Sequence, residues 1–302
     1  MRDSWISYDC LSPDFKVRSS IDGTIYSANR AALLNSDVFR DMFACCDPQI
    51  SESEEIVEIQ EKGGELAALL RLLHEPLKPP TVLPQQGTRF LPIQYDPATV
   101  IPLPLLLSLF FRLADKYALA DSIMSGLKMH LRANAPAHPL EVYGFATLHD
   151  MEWEASEASQ YVLPVASYSF EEIKLIPNVI AYHKLIRLQD FRRKALRELL
   201  LGEDIFPHGY GECPSHREKT VESWDRQRKA LVGRIESATD VAGEMDALTD
   251  VFLECKTCYK ACRAAVDMLA KDTQEIGSTA RGLAYLMNWR RTTSENPCKC
   301  YR

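Results

Sequence analysis

The sequence predicts an α+β N-terminal unit followed by an all-α C-terminal region. Short β-prone runs are confined to the first sixty or so residues, where one Asp-Gly dipeptide separates two of them. Helical periodicity dominates afterwards, and the prolines gather in one stretch between the two patterns.

Phe15 to Ser19 and Thr24 to Tyr26 flank Asp22-Gly23, a dipeptide that readily supplies the positive φ of a hairpin turn. Next comes "NRAALLNSDVFRDMF", residues 29–43. Ala31, Leu33 and Leu34 precede a polar break at Asn35, Ser36 and Asp37, and Val38, Phe39, Met42 and Phe43 follow it. This reads as two brief helices, with Ser36 or Asp37 capping the second by accepting a bond from a first-turn N–H. Ile56, Val57 and Ile59 form a third strand candidate. "LAALLRLLHE" then places Leu66, Leu69, Leu70 and Leu73 on one side of a helix.

Eight prolines fall between residues 75 and 104, a density that excludes regular helix and central strand. The stretch is expected to be an extended loop inserted into the N-terminal unit. Helical spacing returns with Leu106, Phe110, Leu113 and Tyr117 on one face, and a second helix after Ala120-Asp121 carries Ile123, Leu127 and Leu131. "RANAPAHP" closes the unit, so the N-terminal unit is placed at residues 12–135 and the helical region at 139–302.

Helices are expected at Leu140 to His149, Glu154 to Val162, Glu171 to Leu175 and Asn178 to Leu200. A Gly/Pro/His-rich break and two further long helices follow. Val241, Met245, Leu248, Phe252, Cys255, Tyr259, Cys262, Val266 and Leu269 are spaced alternately by four and three, the pattern of one unbroken apolar seam. Burying each such side chain contributes about 1.5–3 kcal/mol before entropy is subtracted, so the seam must find a partner.

Apolar residues at 46% and charged residues at 25% are the balance of a soluble globular protein. The net charge of −7 argues against broad contact with nucleic-acid phosphates. The N-terminus lacks the apolar core of a secretory signal, so an intracellular setting, cytoplasm or nucleus, is expected with its nine cysteines reduced. The most apolar run, Val100 to Phe111, is too short for a bilayer and contains two prolines. Neither a phosphate-binding Gly-rich loop, a G-x-S-x-G elbow nor an H-E-x-x-H helix occurs, so no enzymatic activity and no cofactor are expected.

The hairpin, "NRAALLNSDVFRDMF", the acidic "SESEEIVEIQ", the "LAALLRLLHE" helix and "LADKYALADSIMSGLKMHL" together resemble, in order and spacing, the BTB/POZ domain family. The last of these contains the family's "AxKY" pattern as Ala114, Asp115, Lys116 and Tyr117. The chain departs from the family at Asn29, where histidine is usual, at Asn35-Ser36-Asp37, and in the length of its proline-rich insertion. The helical remainder is similar to the C-terminal half of many fungal BTB proteins.

The resemblance implies a small sheet wrapped by helices, serving as a non-enzymatic protein-interaction module that forms homodimers through the first hairpin and first helix. It places Asp14 and Arg30 in a charged pocket at the dimer groove; the other reading of this pair is local packing. It also implies two narrower functions. One is a substrate adaptor for a cullin-type ubiquitin ligase, for which Ile50, Ser51 and Glu52 form the hydrophobic-x-Glu motif, unless that loop is merely solvated. The other is a nuclear transcriptional regulator without its own DNA-binding motif.

Four soft donors, Cys213 and His216 with Cys255 and Cys258, have the spacing of a structural zinc set. Two observations count against it: Cys255 and Cys262 fall in the apolar seam, where cysteine acts as a small hydrophobe, and the two pairs are about forty residues apart in sequence, on a loop and a helix interior instead of two knuckles. Core or surface thiols with no bound metal are therefore the expectation, and zinc the alternative.

Overall fold

The computed structural model describes residues 3–45, 56–84, 93–206 and 211–292, with side chains as far as 276. Among the described residues the fold is mixed, mostly helical with one three-stranded sheet. The chain divides into two compact units, one comprising Met1–Leu83 with Ile93–Asn134 and the other Pro84–Pro92 with Ala135–Arg302.

In the first unit, a short helix α1 (Asp3–Ile6) precedes strands β1 (Phe15–Ser19) and β2 (Ile25–Ala28). They pair antiparallel with Val17 opposite Tyr26, and Gly23 takes φ 74° in the turn, a conformation that glycine adopts without steric cost. Asp22 fixes the turn from both sides. Its Oδ1 accepts the Thr24 N–H at 3.1 Å, and its Oδ2 accepts the Gly63 N–H at 2.7 Å. The second bond caps α4 (Gly63–His74), whose own N-cap residue, Lys62, offers no side-chain bond. These donors, Gly63 foremost, hold the Asp22 carboxyl well below the usual carboxylate range.

The helical pair forms as α2 (Arg30–Leu33) and α3 (Asp37–Cys45). Asn29 caps α2 by accepting the Ala31 N–H at 2.9 Å, and Ser36 accepts the Phe39 N–H in the first turn of α3 at 3.3 Å. β3 (Ile56–Ile59) runs parallel to β1, giving the order β2-β1-β3. On β1, Phe15, Val17 and Ser19 turn inward. The expected one-sided helix, α4, is apolar and buried over nearly its whole surface, with Ala67, Ala68 and Leu72 joining the four expected leucines. It is therefore a central helix of this unit and not a surface one.

The proline-rich stretch has no regular element between Glu75 and Pro102 among its described residues, as its composition dictates. It is nevertheless fastened. Leu83 donates its N–H to the Gln94 carbonyl and Asp96 to the Thr81 carbonyl, both at 2.8 Å, around an isolated Val82–Tyr95 bridge. Val100 and Ile101 are buried. Helix resumes at α5 (Leu103–Leu105), earlier than the periodicity places it. It passes through a π-helical turn (Leu106–Phe110) into α6 (Phe111–Lys116), and α7 (Asp121–Asn134) follows a break where Ala118 takes φ 45°.

The second unit contains α8 (Pro139–Leu148), α9 (Glu152–Ala158), α10 (Phe170–Ile173), α11 (Val179–Gly202), α12 (Arg217–Val232), α13 (Val241–Asp246) and α14 (Lys256–Thr292). Gly144 of α8 lies so close to the Leu175 carbonyl that a Cβ there would sit 2.1 Å from the oxygen. Leu196 and Leu200 of α11, Trp224 of α12, Met245 of α13 and Val266 of α14 share one core.

The seam is not one helix. It runs through α13, a 3-10 turn at Asp250–Phe252, and α14. Helix fails after Asp246 because Thr249 closes a local turn on the Asp246 carbonyl, its hydroxyl at 2.6 Å and its N–H at 2.8 Å. Every seam position is still buried or half-buried, so the apolar spacing is correct and the continuous helix is not. No helix among the described residues is long and apolar enough to cross a membrane.

Candidate functional sites

At the N-terminal unit the structure brings Asp14 and Arg30 together through the main chain. Asp14 Oδ1 accepts the Arg30 backbone N–H at 2.7 Å, while the Arg30 guanidinium lies over the Phe43 ring, 4.4 Å from its centre. Asp14 thereby caps the start of α2. Ile50, Ser51 and Glu52 lie outside the described residues.

A polar centre that the sequence does not announce lies elsewhere in this unit, past the far end of β1 from this pair. Glu61, 2% exposed, receives Lys116 Nζ at 2.5 Å, the Tyr117 hydroxyl at 3.2 Å and Arg112 Nη1 at 3.2 Å, and its carbonyl accepts the Ser19 hydroxyl at 2.7 Å. Burial pushes the Glu61 carboxyl up, but the opposing donors, Lys116 foremost, hold it below its ordinary value. The "AxKY" residues thus join α6 to the segment that follows β3. In the sequence Glu61 stands only as a lone carboxylate after the third strand candidate, with nothing to tie it to Lys116 and Tyr117.

In the second unit, a cleft of about 300 Å³ is lined by Tyr143, Thr147, Asp150, Asn178, Lys184 and Leu188 among others. Two of its polar residues serve the fold: the Tyr143 hydroxyl donates to the Ala181 carbonyl at 2.7 Å, and Asn178 accepts the Ala181 N–H at 2.8 Å to cap α11.

Among the described residues, four cysteine and histidine side chains form one group that could hold a metal ion. Cys213 and His216 occupy the segment that opens α12, with His216 as its N-cap residue. Cys255 precedes α14 and Cys258 lies in that helix's first turn. About forty residues apart in sequence, the two pairs come together in the fold: their ligand atoms all lie within 4.8 Å of one another. The placement of Cys255 in a helix interior is corrected, because the break after Asp246 restarts the helix at Lys256 and leaves Cys255 at a helix entrance.

Cys213 Sγ is 3.5 Å from His216 Nδ1 and 3.7 Å from Cys255 Sγ. The second distance is far beyond the roughly 2.05 Å of a disulfide. Cys213 and Cys258 are buried, Cys255 half-buried and His216 exposed. The Cys258 N–H, then the His216 ring, draw the Cys255 thiol down to about 6. Cys262, one turn further along α14, is instead fully buried, and burial pushes its thiol up to about 12. It packs as a small hydrophobe, as expected.

Comparison of the chain with family models, curated proteins and solved structures returns no match.

Proposed function

We propose that this chain is a non-enzymatic protein-interaction module that pairs with a second copy of itself through the hairpin and helical pair of its N-terminal unit, as the BTB/POZ resemblance implies. The observation that carries this reading is apolar exposure on these consecutive elements. Ile21, Ile25, Leu34 and Val38 range from 43% to 54% exposed. A single exposed leucine needs no explanation, but four large apolar side chains on adjoining segments favour cover by another polypeptide. β2 also lies at an edge of the sheet, a position open to pairing.

The helical unit bears a comparable set around α10 and α11, including Phe170 at 75% and Val179 at 81% exposed, which suits a second polypeptide contact. No observation favours the ubiquitin-ligase or the transcriptional reading over this general one. Light scattering on the full chain at micromolar concentration tests the proposal. Twice the 34.2 kDa chain mass is expected, and the single-chain mass removes it.

A further inference from the structure

We propose that Cys213, His216, Cys255 and Cys258 bind one zinc ion, which fastens the segment before α12 to the entrance of α14. The spacing of the donor atoms carries the inference. With Zn–S near 2.3 Å and Zn–N near 2.0–2.1 Å, a tetrahedral site has sulfur–sulfur edges of about 3.8 Å and sulfur–nitrogen edges of about 3.6 Å. The structure gives 3.7 Å between Cys213 and Cys255 and 3.5 Å between Cys213 and His216, with all four donors inside 4.8 Å.

The donor chemistry points the same way. Three thiolates and an imidazole are the soft to borderline set that zinc prefers, and a full complement of four protein ligands leaves no position for substrate. The site is therefore structural. Both pairs have the two-residue gap of a ligand knuckle, and each sits where a helix begins. Zinc with three thiolates carries a net single negative charge, which the N-terminus of the 37-residue α14 favours. The Thr220 hydroxyl donates to Cys258 Sγ at 3.3 Å, a support of the kind that orients a metal ligand.

What the ion does follows from position. Cys213 and Cys255 are 42 residues apart, and the chain between them contains α12 and α13. Closing that loop with metal bonds reduces the entropy of the unfolded chain and holds both helices against α14. Cys213 and Cys258 belong to the same core as Trp224 and Met245, so the clamp lies at the margin of that core.

The test uses the full chain, purified without added metal or chelator. Elemental analysis should return one zinc per chain, and zinc-edge X-ray absorption should fit three sulfur neighbours and one nitrogen. Cys258→Ser alters a buried residue and can fail to fold, so exposed His216 supplies the second arm. His216→Ala should keep its far-ultraviolet circular dichroism and lose zinc to a chelator at least about tenfold more readily, at or beyond the loss expected from removing an outer partner, while His216→Cys restores retention. Folded wild-type chain with less than about a tenth of a zinc per molecule, iron in its place, or a His216→Ala variant that holds zinc as tightly as wild type would each overturn the proposal. None of these results depends on whether the chain pairs with itself.

Discussion

Glu61 and Lys116 meet at 2.5 Å in the first unit, joining the segment after β3 to the end of α6. Glu61 is buried, whereas the Lys116 and Arg112 side chains are 44% and 40% exposed. Removing the carboxylate therefore strands two cations that can still reach water, and the cost is smaller than for a fully buried pair. Glu61→Gln is expected to lower stability by about 1–3 kcal/mol, read as a lower urea midpoint with an unchanged slope. Because its pKa is depressed in the fold, the Glu61 contribution is lost as pH falls through the acid range.

His130 is fully buried, its ring edge-on to Trp5 and its Nδ1 accepting the Ile101 N–H at 3.3 Å. Burial drives its pKa down to about 4, against a smaller opposing pull from the Lys78 backbone. Above the ordinary histidine value of about 6.5 it is neutral in both folded and unfolded chains and has no effect. Between about 6.5 and 4 the unfolded chain binds the proton first, so stability falls with pH by about 3 kcal/mol and then levels. Thermal melts of wild type and His130→Gln across this window should diverge, with the variant losing less on acidification.

Gly144→Ala should destabilise the second unit. Alanine favours helix by up to about 1 kcal/mol over glycine, but its Cβ would collide with backbone that cannot move alone, at 2.1 Å from the Leu175 oxygen. Overpacking of this kind costs about 1–3 kcal/mol or more, so a lower melting temperature is expected. A rise would show that α8 and the 175 segment separate easily.

Zinc at the Cys213, His216, Cys255 and Cys258 cluster leads to a further expectation. Stripping the metal with a thiol-reactive mercurial should lower the melting temperature of the full chain, and an excess of EDTA should do so slowly. A melt unchanged after complete zinc loss would separate binding from stabilisation.

Local chemistry was legible in the sequence where it acts within a few residues. Asp22-Gly23 marked the hairpin, the cap of α3 was placed at Ser36 or Asp37 and falls on Ser36, and the spacing of three and four marked the buried faces of the π-helical turn, α6 and α7. Long-range pairing was not. Nothing in "IVEI" states that β3 runs parallel to β1, and the one-sided leucines of α4 hid a helix buried all round. The seam misled for a physical reason: a 3-10 turn preserves a spacing of three, so the apolar rhythm continues where the helix does not. That hidden break is what frees Cys255 to meet Cys213, and no count of residues between the two pairs could reveal it.

The measurement that bears most directly on the central claim is the mass of the full chain in solution, followed over a dilution series for wild type and for Leu34→Glu combined with Val38→Glu. Both residues are 43% exposed, so the substitutions leave the core intact. The account predicts a wild-type dimer that dissociates on dilution and a folded variant that is monomeric throughout. A monomeric wild type, or a variant that dimerises as strongly as wild type, contradicts it.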